Sequence, residues 1–113
     1  MSEIQISVDV TVSRTGEVTY KSSNPGVAED GTITIEAGDD ATITFQPASG
    51  QTWHFKDPWV ALAPTGGVVS FVSGNEAAVA IRDNNSQREP AEYTYCLEAD
   101  TGSLDPRLIN KGN

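Results

Sequence analysis

Residue types that often carry chemistry are nearly missing from this chain. It has one cysteine, Cys96, one histidine, His54, and no methionine after Met1. A lone cysteine excludes an internal disulfide, and a thiol nucleophile would have His54 as its sole imidazole base. Basic residues are also scarce: 7 Lys and Arg stand against 16 Asp and Glu, a formal net charge of -9. Phosphate backbones and anionic lipid surfaces demand the opposite sign, so neither nucleic acid nor membrane is an expected partner. No apolar run approaches the ~20 residues of a membrane span. The opening Met1–Val8 stretch has neither the basic n-region nor the apolar core of a secretory leader. The expected location is the cytoplasm, with the acidic surplus keeping a small domain soluble.

Sustained helical periodicity is lacking too. Ala77–Ile81 is the best helical stretch and is too short to stand alone. What recurs instead is period two. Ile4, Ile6, Val8, Val10 and Val12 alternate with Gln5, Ser7, Asp9 and Thr11, the pattern of a strand with one buried face. Further strands are read at Glu17–Ser22, Thr32–Glu36, Ala41–Phe45, around Trp53 and Phe55, at Val68–Val72, at Ala77–Ile81 and after Pro90. Turn signals separate them at Arg14-Thr15-Gly16, Asn24-Pro25-Gly26, Asp30-Gly31, Gly38-Asp39-Asp40 and Pro64-Thr65-Gly66-Gly67. Thr32–Phe45 reads as a hairpin with Ile33, Ile35, Ile43 and Phe45 pointing inward. The late run Tyr93-Thr94-Tyr95-Cys96-Leu97 puts Tyr93, Tyr95 and Leu97 on one face and Thr94 and Cys96 on the other. Leu108 and Ile109 are candidates to anchor the C-terminal segment. The expectation is an all-β chain, an antiparallel sandwich of about seven or eight strands in one domain over 1–113.

The Tyr93-Thr94-Tyr95 run after a proline-containing turn resembles the last strand of the cupredoxins. There a similar run leads into the copper-ligand cysteine, followed by a histidine and often a methionine. In this chain Leu97 occupies the matching position; Cys96 is one step short, and one step turns a side chain to the other face. No His or Met follows it. Type 1 copper needs two histidines and a cysteine, so the expectation is a cupredoxin-like or immunoglobulin-like sandwich without cofactor. Over nearly its full length the chain resembles more specifically the small bacterial DP-EP family. The resemblance rests on Lys56-Asp57-Pro58-Trp59, on Glu89-Pro90 and on Asp105-Pro106-Arg107-Leu108-Ile109-Asn110. It carries over no activity, since none is established for that family.

Cys96 reads as a small apolar strand residue, and a Cys-His site would require His54 to lie beside it. His54, between Trp53 and Phe55, falls on the solvent side of an extended segment. The runs Asp39-Asp40 and Asp83-Asn84-Asn85, and Asp100 with Asp105, offer oxygen donors. The Asp83 run lacks the spacing, glycine and distal glutamate of an EF-hand loop and reads as turn chemistry. Both tryptophans fall within seven residues. Trp53 is assigned to the core. Trp59, next to Pro58, is assigned to a loop or strand edge where a ring can meet a partner. The expected function is therefore a small acidic, non-catalytic binding module; the alternatives are a degenerate cupredoxin-like electron-transfer or metal-binding domain and a hydrolase whose carboxylates the sequence does not single out. The module's candidate site comprises Lys56, Asp57 and Trp59 of the Lys56-Asp57-Pro58-Trp59 turn with Gly66 and Gly67 of the nearby Pro64-Thr65-Gly66-Gly67 loop. The partner is a protein or a small polar ligand, and the chain is a monomer or an edge-strand homodimer.

Overall fold

The period-two runs fold as strands. The computed structural model describes residues 2–62, 69–85, 89–94, 96–104 and 106–111. Through them run β1 (Ser2–Val12), β2 (Val18–Lys21), β3 (Thr32–Ile35), β4 (Asp39–Pro47), β5 (Phe55–Leu62) and β6 (Val69–Asn75). The remainder are β7 (Ala78–Asp83), β8 (Ala91–Thr94), β9 (Cys96–Ala99), β10 (Gly102–Leu104) and β11 (Arg107–Asn110). No helix occurs among the described residues, so none is long and apolar enough to cross a membrane.

The strands form a five-stranded sheet in the order β2-β1-β4-β7-β6 and two three-stranded sheets, β10-β9-β5 and β3-β11-β8. Their inner faces meet in one hydrophobic cluster. It takes Ile6, Val8 and Val10 from β1, Ile43 and Phe45 from β4, and Val79 and Ile81 from β7. Opposite stand Ile33 and Ile35 of β3, Leu97 and Ala99 of β9, and Leu108 of β11. The alternation predicted for β1 therefore holds, and the fold is the expected all-β, sandwich-like one.

Three details differ from the sequence reading. The strands number eleven among the described residues rather than seven or eight, because short segments such as β10 and β11 also pair. Two ladders are parallel, β1 with β4 and β3 with β11, so the sandwich is mixed rather than purely antiparallel. Thr32–Phe45 is not a hairpin: β3 joins β11 while β4 lies between β1 and β7. The four inward side chains are all buried as expected, but from different sheets. The late run divides as well. β8 pairs with β11 and β9 with β5 and β10, so this one stretch serves both small sheets. Its residue Tyr95 lies outside the described residues, as does Asp105.

A buried polar cluster joins the layers. Asp83, Asn85 and Asn110 are each at most 1% exposed. The Asp83 Oδ1 accepts a hydrogen bond from the Asn85 backbone N–H at 3.0 Å and from the Asn110 Nδ2 at 2.7 Å. Asn85, held at a positive φ of 48°, donates its Nδ2 to the carbonyls of Glu36 (2.8 Å) and Asp39 (3.0 Å). The end of β7, the β3–β4 turn and the end of β11 are thus tied at one corner. Among the described residues no donor reaches the Asp83 Oδ2.

Burial pushes the Asp83 carboxyl up from its ordinary value, against the hydrogen bonds from Asn110 and Asn85 that favour the charged form. In the unfolded chain an aspartate titrates near pH 4. Above that pH the folded state holds its proton longer than the unfolded one. The contribution is thus fully present below about pH 4 and is lost as the pH rises through the higher native value. Asp83→Asn keeps the Oδ1 acceptor and removes the charge. Denaturant titrations of both proteins between pH 4 and 8 are expected to show the wild type losing stability relative to the variant as the pH rises. Leu108, fully buried on the middle strand of its sheet, gives a second check. Leu108→Ala is expected to cost about 2–5 kcal/mol of unfolding free energy.

Candidate binding surface

Lys56-Asp57-Pro58-Trp59 lies within β5 but arches out of its ladder. Phe55 pairs with Ala99 and Val60 with Leu97, so the four residues between them stand opposite Glu98 alone. Proline explains part of the departure, since Pro58 has no N–H to give the ladder. The Asp57–Pro58 peptide is cis, and Trp59 takes a φ of 68°, in the left-handed region that non-glycine residues seldom occupy. Lys56, Asp57 and Pro58 are exposed, while Trp59 is half-buried and packs against the core cluster.

What seats Trp59 is a glycine across the gap between the sheets. A Cβ built on Gly74 of β6 would lie 2.6 Å from Cγ of the indole, so the ring rests directly on the backbone there. Gly74 pairs with Val79 on the inner face of the five-stranded sheet. Trp59 therefore closes one side of the sandwich and presents only its remaining rim. Three residues earlier, Phe71 pairs with Ile81 and shares that inner face, and the ladder slips at Val72. The slip and the edge position leave Phe71 49% and Val72 52% exposed, the two large hydrophobic side chains most open among the described residues. Gly66 and Gly67, the other half of the predicted site, lie outside the described residues.

The remaining candidates separate in space. Trp53 is core as expected: it is 6% exposed, stacks edge-on against Phe55 at 5.0 Å and donates its indole N–H to Gln51. His54 is on the solvent side, as read, with Nδ1 3.6 Å from the Asp100 Oδ2. Cys96 is at the opposite end of β9, across from Leu62. Four residues of extended chain separate it from Asp100, about 13 Å, so His54 and Cys96 do not form a Cys-His pair.

The acidic runs are equally dispersed. Asp40 and Glu3 both accept hydrogen bonds from Arg82, at 2.7 and 2.8 Å. Asp83 belongs to the buried cluster and Asp100 stands by His54, so the turn reading of the Asp83 run holds with a larger structural part than expected. Among the described residues no three His, Cys, Asp or Glu side chains come together as a metal site.

Sequence reasoning missed the Gly74 seat, the exposed Phe71 and the buried Asp83 cluster. One signal existed for the last: Val79, Ile81 and Asp83 share one phase of the alternation, which aims an aspartate inward. No protein-family model matches the chain and no curated protein is significantly similar to it.

Gly74→Ala would drive a methyl into the indole, and Trp59 is expected to be displaced. The expected cost is about 1–3 kcal/mol, with a red shift of tryptophan emission as the ring becomes wetter. An unchanged spectrum and melting curve would contradict this seating.

Proposed function

We propose that this protein is a small acidic interaction module that binds through the Lys56–Trp59 arch and the adjoining Phe71–Val72 segment of β6. The observation that carries the reading is the pairing of an arch fixed on the core by Trp59 with the most exposed large hydrophobic side chains described. Singly exposed hydrophobics are ordinary; here two consecutive ones lie two and three residues along β6 from the Gly74 that seats Trp59, which supports an apolar centre of the kind interfaces use. Lys56 and Asp57 supply one charge of each sign at the rim. Because Trp59 is already packed, little side-chain freedom remains to be lost when a partner arrives. The fitting partner is a protein surface or a polar ligand with an apolar part, met in the cytoplasm. The DP-EP resemblance is part of this proposal and adds the family, not an activity.

The test is affinity capture from a lysate of the source cells with wild type, Phe71→Lys and Lys56→Glu. Neither substitution touches a fully buried residue, so all three proteins are expected to melt alike. A stoichiometric partner retained by wild type and lost with Phe71→Lys supports the arch. Equal recovery by all three overturns it.

A further inference from the structure

The five-stranded sheet has an incomplete edge. β1 runs from Ser2 to Val12, but β2 pairs only with Asp9–Val12. The backbone hydrogen bonds show which groups are left over. The Val10 carbonyl accepts from the Ala48 N–H on the β4 side, and the Tyr20 N–H turns away from β1 to the Glu29 carbonyl. Odd-numbered residues of β1 therefore direct their N–H and C=O toward β2, and even-numbered ones toward β4. Ahead of Asp9, the residues facing the β2 side are Glu3, Gln5 and Ser7. No backbone partner meets them there among the described residues.

The sequence explains the gap. Continuing the β2 register one residue at a time would set Pro25 opposite Gln5 and Gly26 opposite Ile4. Pro25 has no N–H to offer. The segment turns instead on Asn24, whose Oδ1 accepts from the Gly26 N–H at 2.7 Å. It then joins β3, where the Thr34 N–H donates to the Gly26 carbonyl. A Cβ at Gly26 would sit 2.8 Å from the Thr34 carbonyl oxygen, so only glycine allows this approach. Against the diverted segment lies a groove of about 610 Å³, walled by Pro25, Thr32 and Thr34 and, from β1, by Ile4, which stands between Glu3 and Gln5 of the open edge. That volume is within the roughly 300–1,000 Å³ usual for ligand sites. Its two charged lining groups are Glu36 and Asp39, and no basic residue lines it.

We propose that the open edge of β1 receives an extended peptide segment of a partner protein, added as a strand along Glu3, Gln5 and Ser7. The peptide's side chains enter the groove at Ile4, with a basic residue toward Glu36 and Asp39. Main-chain hydrogen bonds to β1 supply the pairing, and Ile4 with the threonine methyls accepts small apolar side chains at alternate positions. A single strand suits the space better than a second copy of this chain. The groove is bounded on its far side by the 24–28 segment, whereas β1 of another copy brings β4 with it. Like charge opposes the second copy as well, since both carry -9. The site is separate from the Lys56–Trp59 arch and stands without it.

The probe is a capped, fluorescently labelled six-residue peptide of alternating valine and threonine with a lysine at each end, followed by anisotropy against the whole chain. Three comparisons accompany it: glutamate in place of the lysines, N-methylation of alternate backbone nitrogens in each phase, and Gln5→Pro. The Gln5 N–H faces the open edge, so proline there removes a donor and adds bulk without breaking the β4 ladder. Saturable binding of the lysine peptide is expected. It should weaken tenfold or more with glutamate ends, with N-methylation in one phase and with Gln5→Pro. Two results would overturn the proposal: no binding at millimolar peptide, or binding indifferent to N-methylation in both phases. Light scattering adds a third, a wild-type dimer abolished by Gln5→Pro, which would give the edge to a second copy. Should Gln5→Pro fail to fold, the N-methylated peptides still decide the matter.

Discussion

The parallel ladder between β1 and β4 sets the rest of the architecture. It holds nine residue pairs, from Ser2 with Asp39 to Val10 with Pro47. Two parallel strands cannot be joined by a tight turn, so the intervening chain must cross over and return. Here the crossover lays β2 on the far edge of β1, leaves that edge after four pairs and deposits β3 in the opposite layer. The second parallel ladder, β3 with β11, then brings Arg107–Asn110 in beside the last strand of the crossover. Both layers are therefore stitched by distant segments, and the short C-terminal strand occupies the middle of its sheet.

Such a crossover leaves corners that need closing, and this fold closes one with polar groups. Asn85 holds the β3–β4 turn by two of its backbone carbonyls, while Asp83 receives Asn85 and Asn110. The hydrogen bonds offset the desolvation of three buried polar side chains, and their fixed directions select one arrangement of the layers. The other margins are closed differently. Trp59 lies on Gly74 across the gap between β5 and β6. Along the first half of β1 there is a groove in place of a strand. Closed and open margins thus have the same origin: one proposed contact lies at the margin that Trp59 closes, the other along the open edge of β1.

Much of the fold was legible because burial on one face leaves a period-two trace. Ile4 to Val12 and Ile43 with Phe45 could be placed from the alternation alone. Partners could not. The inward set Ile33, Ile35, Ile43 and Phe45 looks the same whether its strands form a hairpin or face one another across a core, and a Gly38 turn suits either. Trp59 was recognisable as an edge aromatic beside Pro58, but its positive φ and its seat depend on a glycine fifteen residues away. Pro25 was read as turn punctuation. Its larger consequence, the unpaired half of β1, emerges only once the β1–β2 register is known.

The most direct test of this account is residue-by-residue amide hydrogen exchange along β1. With β4 on one side and an open edge on the other, Ile4, Ile6 and Val8 are expected to exchange slowly, and Gln5 and Ser7 near the rate of an unstructured chain. From Asp9 onward, where β2 pairs, slow exchange should resume at both odd and even positions. Uniform protection from Ile4 to Thr11 would contradict the account, because it would mean that the edge is already covered.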